Sequence, residues 1–307
     1  MNKQNLNVNE NNDLLLKNNK VVNYTADETN ALLVKKENRA KRKKFGALFF
    51  VWFMLILLYL PIVYLVVYSF TDAKVVGQWT GFGVKSYTLL FNPKNKDSLK
   101  LWEATWNTVW VAALSSVLST ILGTLGAVGM HFLGKKLKTA MNVATQIPIV
   151  NAEIVMALSL VILFVFLGLP TSAFSLIIGH MVLTIPFVVI NVQPKLEQMD
   201  PSLYEAALDL GATRKDAFFK VMIPDILPGI LSGFMISLTL SLDDYVITEF
   251  TKPTSSNFNT ISTYVQSTLA KGNIPIQLKA FSTILFLFIV AAMIGYSFYN
   301  YKQSKKI

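Results

Sequence analysis

Three carboxylates fall inside long apolar stretches of a chain that is otherwise poor in charge. Asp243 and Asp244 are adjacent in LSLDDYVITEF, and Glu153 lies in PIVNAEIVMALSL. A carboxylate in the middle of a bilayer-spanning helix costs ~2.5–3.5 kcal/mol on insertion scales, so such residues face a cavity or a partner. Desolvation and mutual repulsion penalise two neighbouring anions, and a bound cation relieves both. No Lys or Arg in these stretches offers itself as a partner, so the chemistry implied is binding of a cation. Tyr245 and Phe250 are placed to add cation–π contacts, with ordinary packing as the competing reading. Asp243 and Asp244 lie about 15 residues past Pro228, ~23 Å along a helix, and neighbouring positions point ~100° apart. The two acids therefore need not share one role. The alternative is a helix that ends near Leu242 and leaves both at a water interface.

The elements that would carry these acids follow from composition. The chain has 307 residues, of which 53% are hydrophobic and 15% charged; its mean hydropathy is +0.46. A soluble domain carries about 25% charged residues. Here the charges cluster between apolar runs, each long enough to cross a ~30 Å hydrocarbon core as a helix. Six spans are predicted: about Phe45–Phe70, Thr108–Phe132, Ala140–Leu167, Ser172–Val192, Ile226–Ile247 and Phe281–Tyr299. Pro148 is positioned to break the third and open backbone groups toward a cavity. The second carries Gly123, Gly126, Ala127 and Gly129, after Ser115 and Ser116, small residues that let membrane helices approach closely.

The net charge of +10 does not point to nucleic acid, because the basic residues gather at helix ends. Residues 35–44 read KKENRAKRKK, with seven basic residues and one acid. Lys135, Lys136 and Lys138 follow the second span, and Lys302, Lys305 and Lys306 follow the sixth. This is the positive-inside pattern. It predicts both termini in the cytosol, with the loop 193–225 on the same side, and contact with anionic lipid is a further use for the first cluster. Residues 1–44 are predicted to be a disordered cytosolic tail, with ten Asn in the first 30 positions; a short helix around Leu14–Leu16 is the only local order suggested. Residues 45–307 form the six-helix domain. No apolar segment of signal-peptide type opens the chain. Cys is absent, and His131 and His180 lack neighbouring ligands, so no metal site is expected. The run from Gly129 to Lys136 nearly spells a P-loop but lacks the final Ser or Thr that binds Mg²⁺.

The loop 193–225 has its own architecture. Asp200 before Pro201 is a helix N-cap followed by a first-turn residue, although Ser202 and Glu205 have the spacing of a competing capping box. Leu203, Ala206, Ala207 and Leu210 fall on one face. Gly211 sits where a helix ends in a left-handed residue. Thr213 and Asp216 then start a second helix, which carries Phe218, Phe219, Val221 and Met222 to Pro224. Such a hairpin is either a solvated interfacial turn or a docking element whose small face enters a partner's groove, with Glu205 accepting an ion pair.

Glu205-Ala206-Ala207, three residues, Gly211, nine residues, then Val221-x-Ile223-Pro224 resembles the signature loop of bacterial ABC importer permeases. Ile223 stands where that family usually has Leu. LSLDDYVITEF, IVNAEIVMALSLVILFVFLG and IPFVV are similar to the second permease subunit of spermidine/putrescine importers, with Glu153 where that family usually has Asp. The similarity runs from about Phe45 to the C-terminus. It implies a type I ABC importer permease fold, with Glu205, Ala206, Ala207, Gly211, Ile223 and Pro224 in a coupling helix that enters an ATPase subunit. It implies a heterodimer with a homologous permease, two ATPase subunits that hold ATP and Mg²⁺, and an extracytoplasmic polyamine-binding protein. This chain would bind no cofactor itself and would not be an enzyme. It would sit in the bacterial cell membrane, with Glu153, Asp243, Asp244 and Tyr245 on the substrate path. The competing readings are the same architecture importing another small solute, and a membrane enzyme or scaffold that transports nothing.

Overall fold

The computed structural model describes residues 26–73, 79–254, 257–272 and 275–304. Among these residues the regular structure is helical, joined by turns and loops, with an isolated antiparallel bridge between Thr71 and Phe82. Five helices are long and apolar enough to cross a membrane, and a sixth crossing results if one sharply bent pair counts as a span.

The helix α1 runs from Ala26 to Ser69, and its apolar part is Leu48–Ser69. Residues 26–44, expected to belong to a disordered tail, continue this helix. The stretch is rich in Ala, Leu, Lys, Glu and Arg, all good helix formers, and the span gives it a nucleus to extend from. The rest of the predicted tail, with Leu14–Leu16, lies outside the described residues. The described residues divide between Val67 and Tyr68 into two units.

The second unit continues with α2 (Lys85–Leu90), α3 (Lys96–His131), α4 (Lys135–Val150), α5 (Glu153–Phe166) and α6 (Ala173–Gln198). After them come α7 (Pro201–Asp209), α8 (Arg214–Ala217), α9 (Ile223–Asp243), α10 (Val246–Thr251), α11 (Ile261–Ala270) and α12 (Ile276–Ser304). Its core is the packing of α3, α6 and α9 against one another. At mid-height the contact is backbone-close. A Cβ added to Gly123 of α3 would come 2.7 Å from Val188 Cβ on α6, and one added to Gly233 of α9 would come 3.1 Å from Val188 Cα. One valine is thus held between two glycines. Nearer the α7 end, Ala127, Val128, Val189, Val192, Leu196, Met222 and Ile226 form a buried apolar cluster. Toward the other end the same interface is polar: Ser119 Oγ meets Thr184 Oγ1 at 2.7 Å and Ser115 Oγ meets Ser241 Oγ at 2.9 Å. Gly126 and Gly129 have nothing near them, so only part of the small-residue stripe serves this packing. Gly123→Val is expected to lower stability by about 1–3 kcal/mol through overpacking. Gly126→Val should change it little, and thermal unfolding of the purified protein in detergent compares the two.

Several boundaries differ from expectation: the second span starts at Lys96 rather than Thr108, and the fourth runs to Gln198 rather than Val192. The third span is broken, with α4 and α5 meeting at 104°, but the break falls at Asn151 and Ala152 rather than at Pro148. Helix α4 runs through that proline to Val150. The fifth span stops at Asp243 rather than Ile247, and α10 restarts at Val246. The last helix starts at Ile276, which brings Lys279 into an apolar helix and corrects the expectation that the spans carry no basic residue. Lys279 is buried. Its ammonium donates to the Ala73 carbonyl at 2.8 Å and lies 4.3 Å from the centre of the Tyr68 ring. A carbonyl and an aromatic face thus replace its hydration, with no carboxylate partner among the described residues.

Candidate functional site

At one end of the unit, α7, α8 and the start of α9 form the predicted hairpin. Asp200 caps α7, its Oδ1 accepting from the Ser202 amide at 2.9 Å, so the Ser202–Glu205 capping box does not form. That bond holds the Asp200 carboxyl below the usual carboxylate range. The capping contribution is therefore present at neutral pH and is lost as the pH falls through the lowered value. Gly211 has φ +87°, and the turn is closed by two bonds: Gly211 N–H to Leu208 O at 2.9 Å and Ala212 N–H to Ala207 O at 3.0 Å. This is the Schellman arrangement that only an easily left-handed residue supports. Gly211→Ala should cost about 1–2 kcal/mol locally, read as faster amide exchange across α7. Thr213 starts α8 by accepting from the Asp216 amide at 3.1 Å. A π-helical turn over Phe218–Met222 joins α8 to α9 directly before Pro224. Widening the backbone there relieves the clash between the proline ring and the carbonyl four residues earlier.

The hairpin is anchored on one side only. Tyr204 stacks obliquely on Phe132, ring centres 5.9 Å apart, and Tyr204 and Phe218 pack onto the buried cluster of α3, α6 and α9. The opposite side of α7 is open. Leu203 is 50% and Leu210 90% exposed, and Glu205 and Ala206 are exposed between them. Ala207 faces partly inward. Apolar side chains of this size, fully presented around a carboxylate, form a surface suited to a partner's groove.

The acids lie at the two helix breaks. Glu153 opens α5 just after the 104° bend, is exposed, and makes no ion pair among the described residues. Asp243 ends α9; it too is exposed and unpaired among the described residues. Tyr245, in the gap between α9 and α10, is 36% exposed. Asp244 is different. It is 7% exposed, and its carboxylate satisfies the start of α10. Oδ1 accepts from the Ile247 amide at 3.1 Å; Oδ2 accepts from the Thr248 amide at 2.7 Å and from the Thr248 hydroxyl at 2.8 Å. The Ser262 hydroxyl donates to the Asp244 carbonyl at 2.7 Å. His180 is buried behind Thr248, its Nε2 3.0 Å from Thr248 Oγ1. The spacing from Asp244 to Thr248 was the available signal, since an Asp three or four residues ahead of exposed helix amides is a capping pattern.

Broken apolar helices around a three-helix core, with a one-sided hairpin at one end, define a membrane transport permease of the ABC importer fold. That fold is shared with the solved structure of a bacterial ABC transporter involved in import of the acidic polysaccharide alginate. The TM-score is 0.62 at 20% identity, over 86% of this chain and 98% of that one. The same transporter type in complex with an alginate pentasaccharide-bound periplasmic protein gives 0.61, also at 20% identity, over 84% and 94%. The chain belongs to the family described as binding-protein-dependent transport system inner membrane component, whose model matches residues 38–305. It is therefore a multi-pass membrane protein and a transport component rather than an enzyme. It is 32% identical over 78% of its length to the spermidine/putrescine transport system permease protein PotC of Escherichia coli K12, covering 87% of that protein. With the putrescine transport system permease protein PotI of the same strain the figures are 32%, 74% and 81%. With PotC of Haemophilus influenzae they are 30%, 77% and 89%.

Proposed function

We propose that this chain is one permease subunit of an ATP-driven polyamine importer of the bacterial cell membrane, with both termini in the cytosol. The observation that carries the reading is that two carboxylates, Glu153 and Asp243, make no ion pair among the described residues and each stand at a break in a membrane helix. A break frees backbone carbonyls and admits water, and a free carboxylate beside it holds an ammonium by charge rather than by shape, which lets the cargo leave again. The relatives named for spermidine and putrescine support this cargo class. Tyr245, half-exposed beside Asp243, adds an aromatic face for an ammonium. Asp244 contributes through its position, since its carboxylate is already engaged. Lys279 offers nothing to an anionic cargo, because its ammonium is taken up by a carbonyl and a ring.

The rest of the assembly follows from the hairpin. Glu205, Ala206, Ala207, Gly211, Ile223 and Pro224 form the element that couples to an ATPase subunit. Two such subunits bind ATP and Mg²⁺, and this chain holds no cofactor. A homologous permease completes the pore within the lipid bilayer, and an extracytoplasmic polyamine-binding protein delivers the cargo. ATP binding draws the ATPase subunits together, α7 moves with them, and the helices rearrange to expose the acids outward. Hydrolysis resets the cycle.

Uptake of labelled spermidine by the complex in proteoliposomes tests the reading. ATP-dependent accumulation that unlabelled putrescine competes away is the expected result. An assembled complex that hydrolyses ATP and accumulates neither polyamine would overturn the cargo assignment.

A further inference from the structure

A continuous buried hydrogen-bond chain runs through the unit's core behind the α9–α10 break. It joins Ser115 of α3, Ser241 of α9, His180 of α6, Thr248 of α10 and Asp244, each buried. Ser115 Oγ lies 2.9 Å from Ser241 Oγ. Ser241 Oγ lies 2.7 Å from His180 Nδ1, and His180 Nε2 lies 3.0 Å from Thr248 Oγ1. The Thr248 hydroxyl donates to Asp244 Oδ2 at 2.8 Å. The direction of the chain follows from its end. Carboxylate oxygens accept, so the Thr248 proton goes to Asp244, and the Thr248 oxygen is left to accept from His180 Nε2–H. His180 Nδ1 then accepts from the Ser241 hydroxyl. At 3.7 Å the His180 Nε2 to Asp244 Oδ2 separation is too long for a direct bond, so Thr248 is the intermediary.

This chain bears on the neighbouring residue. Helix α9 ends at Asp243 because Asp244 leaves the helical conformation, with ψ 129°, and turns its carboxylate onto the amides of Ile247 and Thr248. With Asp244 turned inward, Asp243 stays on the outer side of the break. If Asp244 were released, α9 could continue into α10 and rotate Asp243 to another bearing, since successive helical residues differ by ~100°. We propose that His180 is a positioning residue for cargo transfer: through Thr248 it locks Asp244 into the core, and that lock presents the Asp243 carboxylate to the cargo. The proposal rests on the reading of Asp243 as a cargo ligand.

The test uses the full importer in proteoliposomes with labelled spermidine. Thr248→Val keeps the volume and removes the intermediary hydroxyl, and His180→Leu removes both ring contacts. Each should raise the half-saturating spermidine concentration roughly tenfold, the effect of losing one hydrogen bond to a charged group, while the maximal rate changes less than about twofold. His180→Gln, which keeps a donor, should recover most of the loss. Assembled Thr248→Val and His180→Leu complexes with wild-type half-saturation would overturn the proposal. So would a fall in maximal rate alone that Gln does not rescue, because that is the signature of simple packing. If His180→Leu fails to assemble, Thr248→Val decides. A wild type that takes up no spermidine counts against the cargo reading and not against the lock. The lock is then read from amide exchange at Ile247 and Thr248, which Thr248→Val should speed roughly tenfold and which, left unchanged, sinks it.

Discussion

On the proposed function, Asp243→Asn is expected to lower spermidine uptake by at least about 30-fold, while assembly with the proposed ATPase subunits is retained. The magnitude follows from what the substitution removes. Losing one partner of a carboxylate–ammonium pair costs roughly 2–5 kcal/mol, and 2 kcal/mol is already a factor of about 30. The fold should survive, because Asp243 is exposed and no bond within the described residues depends on it. Asp244→Ala should behave differently. It strips the start of α10 of its acceptors, so its uptake defect comes with lowered thermal stability. Labelled-spermidine uptake and thermal unfolding on both variants separate the two roles. Equal uptake by wild type and Asp243→Asn would remove this residue from the cargo path.

If the hairpin couples as proposed, Glu205→Lys is expected to abolish co-purification of the ATPase subunits and, with it, ATP-dependent uptake. The residue is exposed on the open side of α7, between Leu203 and Leu210, and contributes nothing to the packing of the hairpin on its own body. A charge reversal there should leave α7 folded but would place a cation where the proposed partner's groove would meet an anion, and like-charge contacts at an interface cost several kcal/mol. Leu210→Asp should act in the same direction by removing an exposed apolar contact. Retained assembly and uptake in both variants would show that the ATPase grips the permease elsewhere. Circular dichroism checks that the helical content is unchanged.

The hairpin was legible before any coordinates because each of its signals is local. Asp200, Pro201, Gly211 and Thr213 act on backbone groups within a few residues of themselves, so their types and spacing state their roles. Even there, sequence left two caps competing, and only the geometry chose Asp200 over Ser202. Five of the six predicted spans were legible for a similar reason, since long apolar runs favour a helix in a bilayer; the third is a pair of helices bent by 104°. Their ends were less so. Helix α12 reaches back to Ile276, because Lys279 finds a carbonyl from Ala73, more than 200 residues earlier in the chain. The break in the third span falls past Pro148, because a proline within a helix can be carried when its neighbours tolerate the lost bond.

By itself, then, the sequence determined that this is an all-helical membrane protein, where the 200–224 hairpin starts, turns and ends, and that three carboxylates lie within its apolar segments. Local caps, glycine conformations and hydropathy are properties of short windows, and a single chain states them directly. Only the tertiary structure decided which acid is free. Asp243 and Asp244 are adjacent and chemically identical, and their difference arises because Thr248, backed by His180 from another helix, engages one of them. The two glycines facing Val188, the 104° bend and the carbonyl that accepts from Lys279 belong to the same class. Each depends on atoms brought together from distant parts of the chain, and no short window of residues contains that information.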